Sequence, residues 1–227
     1  MRSKTLWAML LLFFPAAAVA DGPSSEVDRV GVLFGSSLYG GGERLTQTTV
    51  GVSTSTADRN FDDLSGSSIT VRALKDLNSK LAWGFEASWV PTVTFDIHKE
   101  GRYELGDELQ LLGQLEAAFP VPTFATGRTK LAIGPMLLIP GADYQDFLST
   151  IELPRRPRVG MTIQMGAGIR VPIRNDLHLT ADALLQTLAF STLRNDTLFG
   201  ARGGSTSLTE KWSGARVWGV IGIEKTL

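Results

Sequence analysis

The chain has 227 residues, no cysteine, 43% hydrophobic residues, and 22 Lys and Arg against 23 Asp and Glu. The lack of cysteine excludes disulfide staples, cysteine-ligated metals and a lipidated N-terminal cysteine. The near-neutral charge excludes the basic footprint of a nucleic-acid binder, and the length suits a single domain.

Residues 1–20, MRSKTLWAMLLLFFPAAAVA, join a basic head (Arg2, Lys4) to an apolar run from Leu6 to Phe14 and an Ala18-Val19-Ala20 cleavage signal. These are the three parts of a secretory signal peptide. The run is shorter than the roughly 20 residues of a spanning helix. Cleavage after Ala20 is therefore expected, leaving residues 21–227 as the mature chain. Its loss takes two bases away, so 20 face 23 acids and the mature net charge is −3.

Read with a period of two, the rest predicts eight strands. They cover about 28–39, 68–76, 80–96, 104–119, 129–140, 157–171, 176–190 and 211–225. Residues 44–54, RLTQTTVGVST, extend the first strand or form a ribbon beyond it. Alternate connections are short: 77–79, 120–128 and 172–175. The others are mostly long and rich in Gly, Ser or charge: 40–67, 97–103, 141–156 and 191–210. In an up-and-down meander, odd and even connections lie at opposite ends. Short turns at one end and long loops at the other is the asymmetry of outer-membrane barrels, with short periplasmic turns and long extracellular loops.

The two faces of each strand differ sharply. One is apolar over about nine central residues, the length that crosses a bilayer: Val32 and Phe34, Trp83 and Phe85, Leu109 and Leu111, Ile133, Met161 and Ile163, Leu185, Ile221 and Ile223. The other holds Arg29, Arg72, Glu86, Glu108, Glu116, Arg158, Arg170, Asp182, Arg216 and Glu224, with glutamines and glycines among them. An eight-stranded barrel is just wide enough for side chains to fill it, so these ten form the expected lumen charge network. Centring the first turn on 77–79 puts Arg72 opposite Gly84 and diagonal to Glu86. A tight turn at 172–176 puts Arg170 opposite His178. The rival arrangement is a soluble lipocalin-like carrier with the faces reversed. It explains the alternation but not the sorting of the connections.

Trp83, Phe95, Phe119, Phe190 and Trp212 fall toward strand ends, where an aromatic girdle is expected. The last strand alternates Val217, Ile221, Ile223 and Leu227, which resembles the C-terminal signature of bacterial outer-membrane proteins, although Leu227 replaces the usual phenylalanine. With its signal peptide, strand count, sorted connections and polar lumen, the whole mature chain resembles small outer-membrane β-barrels of the OmpA-transmembrane-domain and OmpX type. The resemblance implies an all-β, eight-stranded antiparallel up-and-down transmembrane barrel. It also implies assembly by the barrel assembly machinery, contact with outer-membrane lipids and lipopolysaccharide, and a monomeric state.

Some barrels of this size acylate or deacylate lipid A, which requires a nucleophile and base within about 3 Å of each other. His178 lies on the polar face near a short turn, and Asp182 sits four residues along the strand, roughly 13 Å away at about 3.4 Å per residue. His98 starts a long connection, with Asp96 and Glu100 alternating beside it. Neither histidine has a nucleophile in place, and no cofactor or metal site is expected. In LPRRPRV, Arg155, Arg156 and Arg158 stand where a loop descends into the membrane, positions suited to lipopolysaccharide phosphates. The expected function is non-enzymatic: envelope integrity, or binding through 40–67, 141–156 and 191–210. The alternatives are a lipid A-modifying enzyme, a narrow pore and the periplasmic carrier.

Overall fold

A computed structural model describes residues 27–50, 53–97, 101–121, 124–199 and 205–227. The signal-peptide segment 1–20 lies outside the described residues. The strands are β1 (Arg29–Val50), β2 (Ser53–Ser65), β3 (Ser67–Asp76), β4 (Leu81–Ile97), β5 (Gly101–Pro120) and β6 (Thr126–Pro140). After helix α1 (Ala142–Thr150) come β7 (Arg158–Pro172), β8 (Leu177–Phe199) and β9 (Ser205–Thr226).

All neighbouring strands pair antiparallel, and β1 pairs with β9 from Arg29↔Thr226 to Val50↔Thr206, so the sheet closes on itself. The ring contains β1 and β3 through β9. β2 continues the course of β3 across Gly66 and pairs with the far half of β1. Closure leaves no sheet edge within the ring, the condition for a β-structure to cross lipid. The fold is an eight-stranded up-and-down transmembrane β-barrel.

Exposure follows the sequence alternation. Phe34, Phe85, Leu131, Ile133, Val159, Met165 and Ile221 are all at least 50% exposed, while Arg72, Glu108, Arg216 and Glu224 are at most 1% exposed. The apolar face points outward and the charged face inward, which excludes the reversed, carrier-like arrangement.

Three expectations are corrected. The connections 40–67 and 191–210 are mostly strand rather than loop, with the first strand running on through 44–50 as the expected extension: beyond the ring, β2, β1, β9 and β8 form a four-stranded sheet. Residues 141–156 hold α1, whose Tyr144, Phe147 and Leu148, with Ile151 just past its end, recur at helical spacing and pack against the barrel mouth. Both turns are wider than expected, which slides their registers by two residues. Arg72 faces Glu86 directly, and Arg170 faces Thr180 while Pro172 faces His178.

A charge on the outer belt tests this orientation. Ile133→Arg, at the middle of β6, is expected to lower stability by about 2–4 kcal/mol in lipid vesicles. Leu77→Arg, in a solvent-exposed turn, is expected to change it by less than about 0.5 kcal/mol. Equilibrium denaturant unfolding of the vesicle-inserted protein reads both, and equal costs would contradict the outward belt.

Candidate functional site

The lumen is layered, and each layer follows from which residues the register brings level. At the short-turn end the layer is ionic. Arg29 contacts Glu116 (2.9 Å), Glu224 (3.0 Å) and Asp76 (2.7 Å). Arg72 meets Glu224 at 2.5 Å, Arg128 grips Asp182 through two bonds at 2.8 and 2.6 Å, and Arg170 reaches Glu224 at 3.1 Å. Four guanidiniums thus share Glu116, Asp182 and Glu224, with Asp76 at the rim. Burying such charges is costly unless each is paired and hydrogen-bonded, and removing one partner strands the others.

Above this, Lys130 pairs with Glu86 at 2.6 Å beside a cavity of about 20 Å³, room for roughly one water. A polar bar then crosses the barrel. Gln186 accepts from Arg216 Nε and Trp218 Nε1, both at 2.7 Å, and donates to Gln110 (3.0 Å) and Thr162 (2.9 Å). Gln164 donates to Gln110 at 3.2 Å, and Arg216 closes the bar on Glu108.

The next layer is apolar: Val90, Met136, Leu138, Leu188 and Leu193 lie in one buried cluster with Phe95, Phe190 and Trp212. Trp212 makes edge-on contacts with Phe95 and Phe190 at 5.6 and 6.1 Å between ring centres. Over them sits α1. Its Tyr144 donates to Glu210 (2.8 Å) and accepts from Arg158 (2.5 Å), while Arg158 pairs with Glu210 at 3.1 Å and donates to the Ser191 carbonyl at 2.6 Å. Burial, reinforced by the Glu210 carboxylate, holds the Tyr144 phenol well above the usual tyrosine range, so it stays a donor. Arg44 stacks on Phe147 at 4.0 Å.

All ten lumen residues predicted from sequence face inward, but their partners differ: Glu86 takes Lys130 and Arg72 takes Glu224. The lumen is charged only in part, because an apolar layer separates the polar bar from the buried Arg158–Glu210 pair under α1. Arg158 is corrected as a lipopolysaccharide contact. It is 1% exposed and bound to Tyr144, Glu210 and Ser191, whereas Arg155 and Arg156 are exposed. The girdle is corrected too: Trp83 and Phe119 face outward, while Phe95, Phe190 and Trp212 are buried inside. Phe95 turns inward because Pro91 and Thr92 form a bulge between Val90 and Val93, which shifts the alternation by one. Arg128, Lys130, Glu210, Arg44 and Tyr144 were not anticipated. Lys130 shares the parity of Ala132 and Met136, a signal that was available. Arg128, Glu210 and Tyr144 lay in segments expected to be turn or loop, and Arg44 in the stretch expected to extend the first strand or form a ribbon.

His178 sits at the short-turn end, and Asp182 is committed to Arg128 rather than to it. His98 and Glu100 lie outside the described residues. Among the described residues no cluster of three metal-ligating side chains occurs.

No family model matches the chain, and no curated protein matches it in sequence. Solved structures are similar at a distance. Neisserial surface protein A is 9% identical with a TM-score of 0.36, over 82% of this chain and 98% of its own. The outer membrane protein OprG from Pseudomonas aeruginosa is 11% identical with a TM-score of 0.38, over 86% and 97%. The outer membrane protease OmpT from Escherichia coli is 7% identical with a TM-score of 0.32, over 91% and 99%. Likeness at this level carries no residue role or activity over to this chain.

The polar bar makes a sharp thermodynamic test. Arg216→Met leaves Glu108 buried without its cation and is expected to cost about 3–5 kcal/mol. Adding Glu108→Gln, which removes the orphaned charge and keeps an acceptor for Gln110, is expected to recover more than half of that loss. A denaturant double-mutant cycle measures the coupling; simple additivity would show that the pair is not a unit.

Proposed function

We propose that this protein is a non-enzymatic, non-conducting outer-membrane barrel, monomeric and surrounded by outer-membrane lipids and lipopolysaccharide. Its short turns face the periplasm and its capped end faces outward. It acts as a rigid envelope element that presents the four-stranded outer sheet and the α1 cap for binding. The observation that carries this reading is the stacked lumen. An ionic layer, a hydrogen-bonded bar, an apolar layer and a helix lie in series, and each fills the cross-section that a solute would need. This arrangement argues against the narrow pore. Against a lipid A-modifying enzyme stands the placement of His178 at the opposite end, with Asp182 turned away from it. Arg155 and Arg156, exposed after α1, are the cations offered to lipopolysaccharide phosphates.

Two measurements test the reading. Protein from the membrane fraction is expected to migrate differently in SDS with and without boiling, as SDS-resistant barrels do. Reconstituted into planar bilayers, it is expected to give no stepwise conductance. A soluble, unshifted protein would remove the membrane assignment. Steady channel openings would show that the layered lumen admits a path.

A further inference from the structure

Three adjacent strands lose their regular pairing at one height. In β1 the register shifts between Ser37 and Tyr39. The β2–β3 course breaks at Gly66, just after Asp63, whose φ is +51°. In β4, Pro91 brings no N–H to the ladder, and Thr92 has a φ of +51°. The β3–β4 pairing stops at Ile69↔Trp89 and resumes only at Ser65↔Thr94.

What results is an open notch of about 440 Å³ in the outer wall, lined by Ser36, Ser37, Ser65, Gly66, Ser67, Pro91 and Thr92. It does not reach the lumen, because Leu64, Val90 and Val93 close it from behind at 0–1% exposure. A Cβ on Gly66 would come within 2.7 Å of Val90 Cγ1, so the floor is in close contact. Ser37 and Gly66 bond each other through Oγ and both backbone groups, and Asp107 accepts the Thr92 N–H at 2.9 Å. Ser36 and Ser67 pair across the strands and point outward with Thr92.

The position matters as much as the lining. Phe34, Ile69 and Trp89 each lie two residues below the notch on their own strands and mark the outer edge of the apolar belt. Leu38 and Tyr39, 70% and 68% exposed, flank it above. The hydroxyls of Ser36, Ser67 and Thr92 stand exposed here at the edge of hydrocarbon, where lipid tails offer them no hydrogen bond. Its lining contains hydroxyls and no Lys or Arg, so it offers neutral hydrogen bonds and nothing to balance a phosphate.

We propose that the notch binds the sugar headgroup of an outer-leaflet glycolipid, whose hydroxyls and amides bond the serines while its acyl chains lie over Phe34 and Ile69. The assignment rests on the membrane reading above. The probe is dephosphorylated lipid A, added to the detergent-purified full chain and followed by native mass spectrometry. The double substitution Ser36→Leu with Ser67→Leu fills the notch and is expected to weaken retention about tenfold, the worth of one to two net hydrogen bonds. The milder pair Ser36→Ala with Ser67→Ala is expected to weaken it about threefold. Thr187→Leu, on another part of the outer wall, should leave it unchanged. Equal retention by wild type and both serine pairs, or displacement by an equal concentration of phosphatidylethanolamine, would overturn the site. Loss of the heat-dependent gel shift in the wild type would instead overturn the membrane reading itself.

Discussion

The rest of the structure depends on one constraint: lipid offers no hydrogen bonds. A backbone that crosses it must satisfy its N–H and C=O groups sideways, so the sheet must close. Eight strands close into a cylinder whose interior holds side chains and little else. The inward face of every strand must then fill that space, and the outward face must do without charge. The alternation along β6, β7 and β9 is the direct record of those two demands.

Filling a narrow lumen has two physical solutions, and this barrel uses both. At the short-turn end, long arginines cross the axis to shared carboxylates, so that Glu224 alone meets Arg29, Arg72 and Arg170. Such a network contributes little net stability but fixes which strand faces which, since a slipped register would strand several charges at once. Toward the cap, leucines and aromatics fill the same cross-section without a desolvation cost, up to the buried Arg158–Glu210 pair under α1. The polar bar built on Gln186 separates the two regimes. Arg216 anchors it, with its guanidinium on Glu108 and Gln186 and its face against Trp218 at 4.7 Å.

Which face looked inward was legible from the sequence, because lipid and lumen demand opposite chemistries and the parity of ten charged residues answered for seven of the eight strands, with the apolar alternation of β6 supplying the last. Partners were less legible. Arg72 lay opposite Glu86 only after a two-residue slide, and turn width, which sets the slide, depends on local geometry at 77–80 that composition does not encode. Phe95 was misplaced because parity fails across a bulge, although Pro91 marked where the failure could occur. Phe190 and Trp212 already had inward parity, and reading them as a girdle set their position along the strand above their face. Arg44 and Glu210 were missed for a different reason. Residues 53–62 and 205–210 read mainly as connection and 44–54 as an extension or ribbon with no partner assigned, yet 41–50, 53–62 and 205–211 find strand partners in each other once the ring brings them side by side.

That last error bears on function. Loops that are free to move can adapt to a partner but give up order on binding it, whereas a sheet and a packed helix present their surface already ordered. Tyr144, Arg158 and Glu210 tie α1 to β7 and β9 through buried bonds, and Arg44 on Phe147 ties it to β1. The cap is therefore continuous with the barrel core rather than a lid resting on it. To open it, the Tyr144–Arg158–Glu210 network would have to break and Leu148 leave the apolar layer, and these contacts are lost together because α1 is one short helix. A surface held this way suits recognition by shape, and it makes the outer end as much a part of the folded unit as the membrane span.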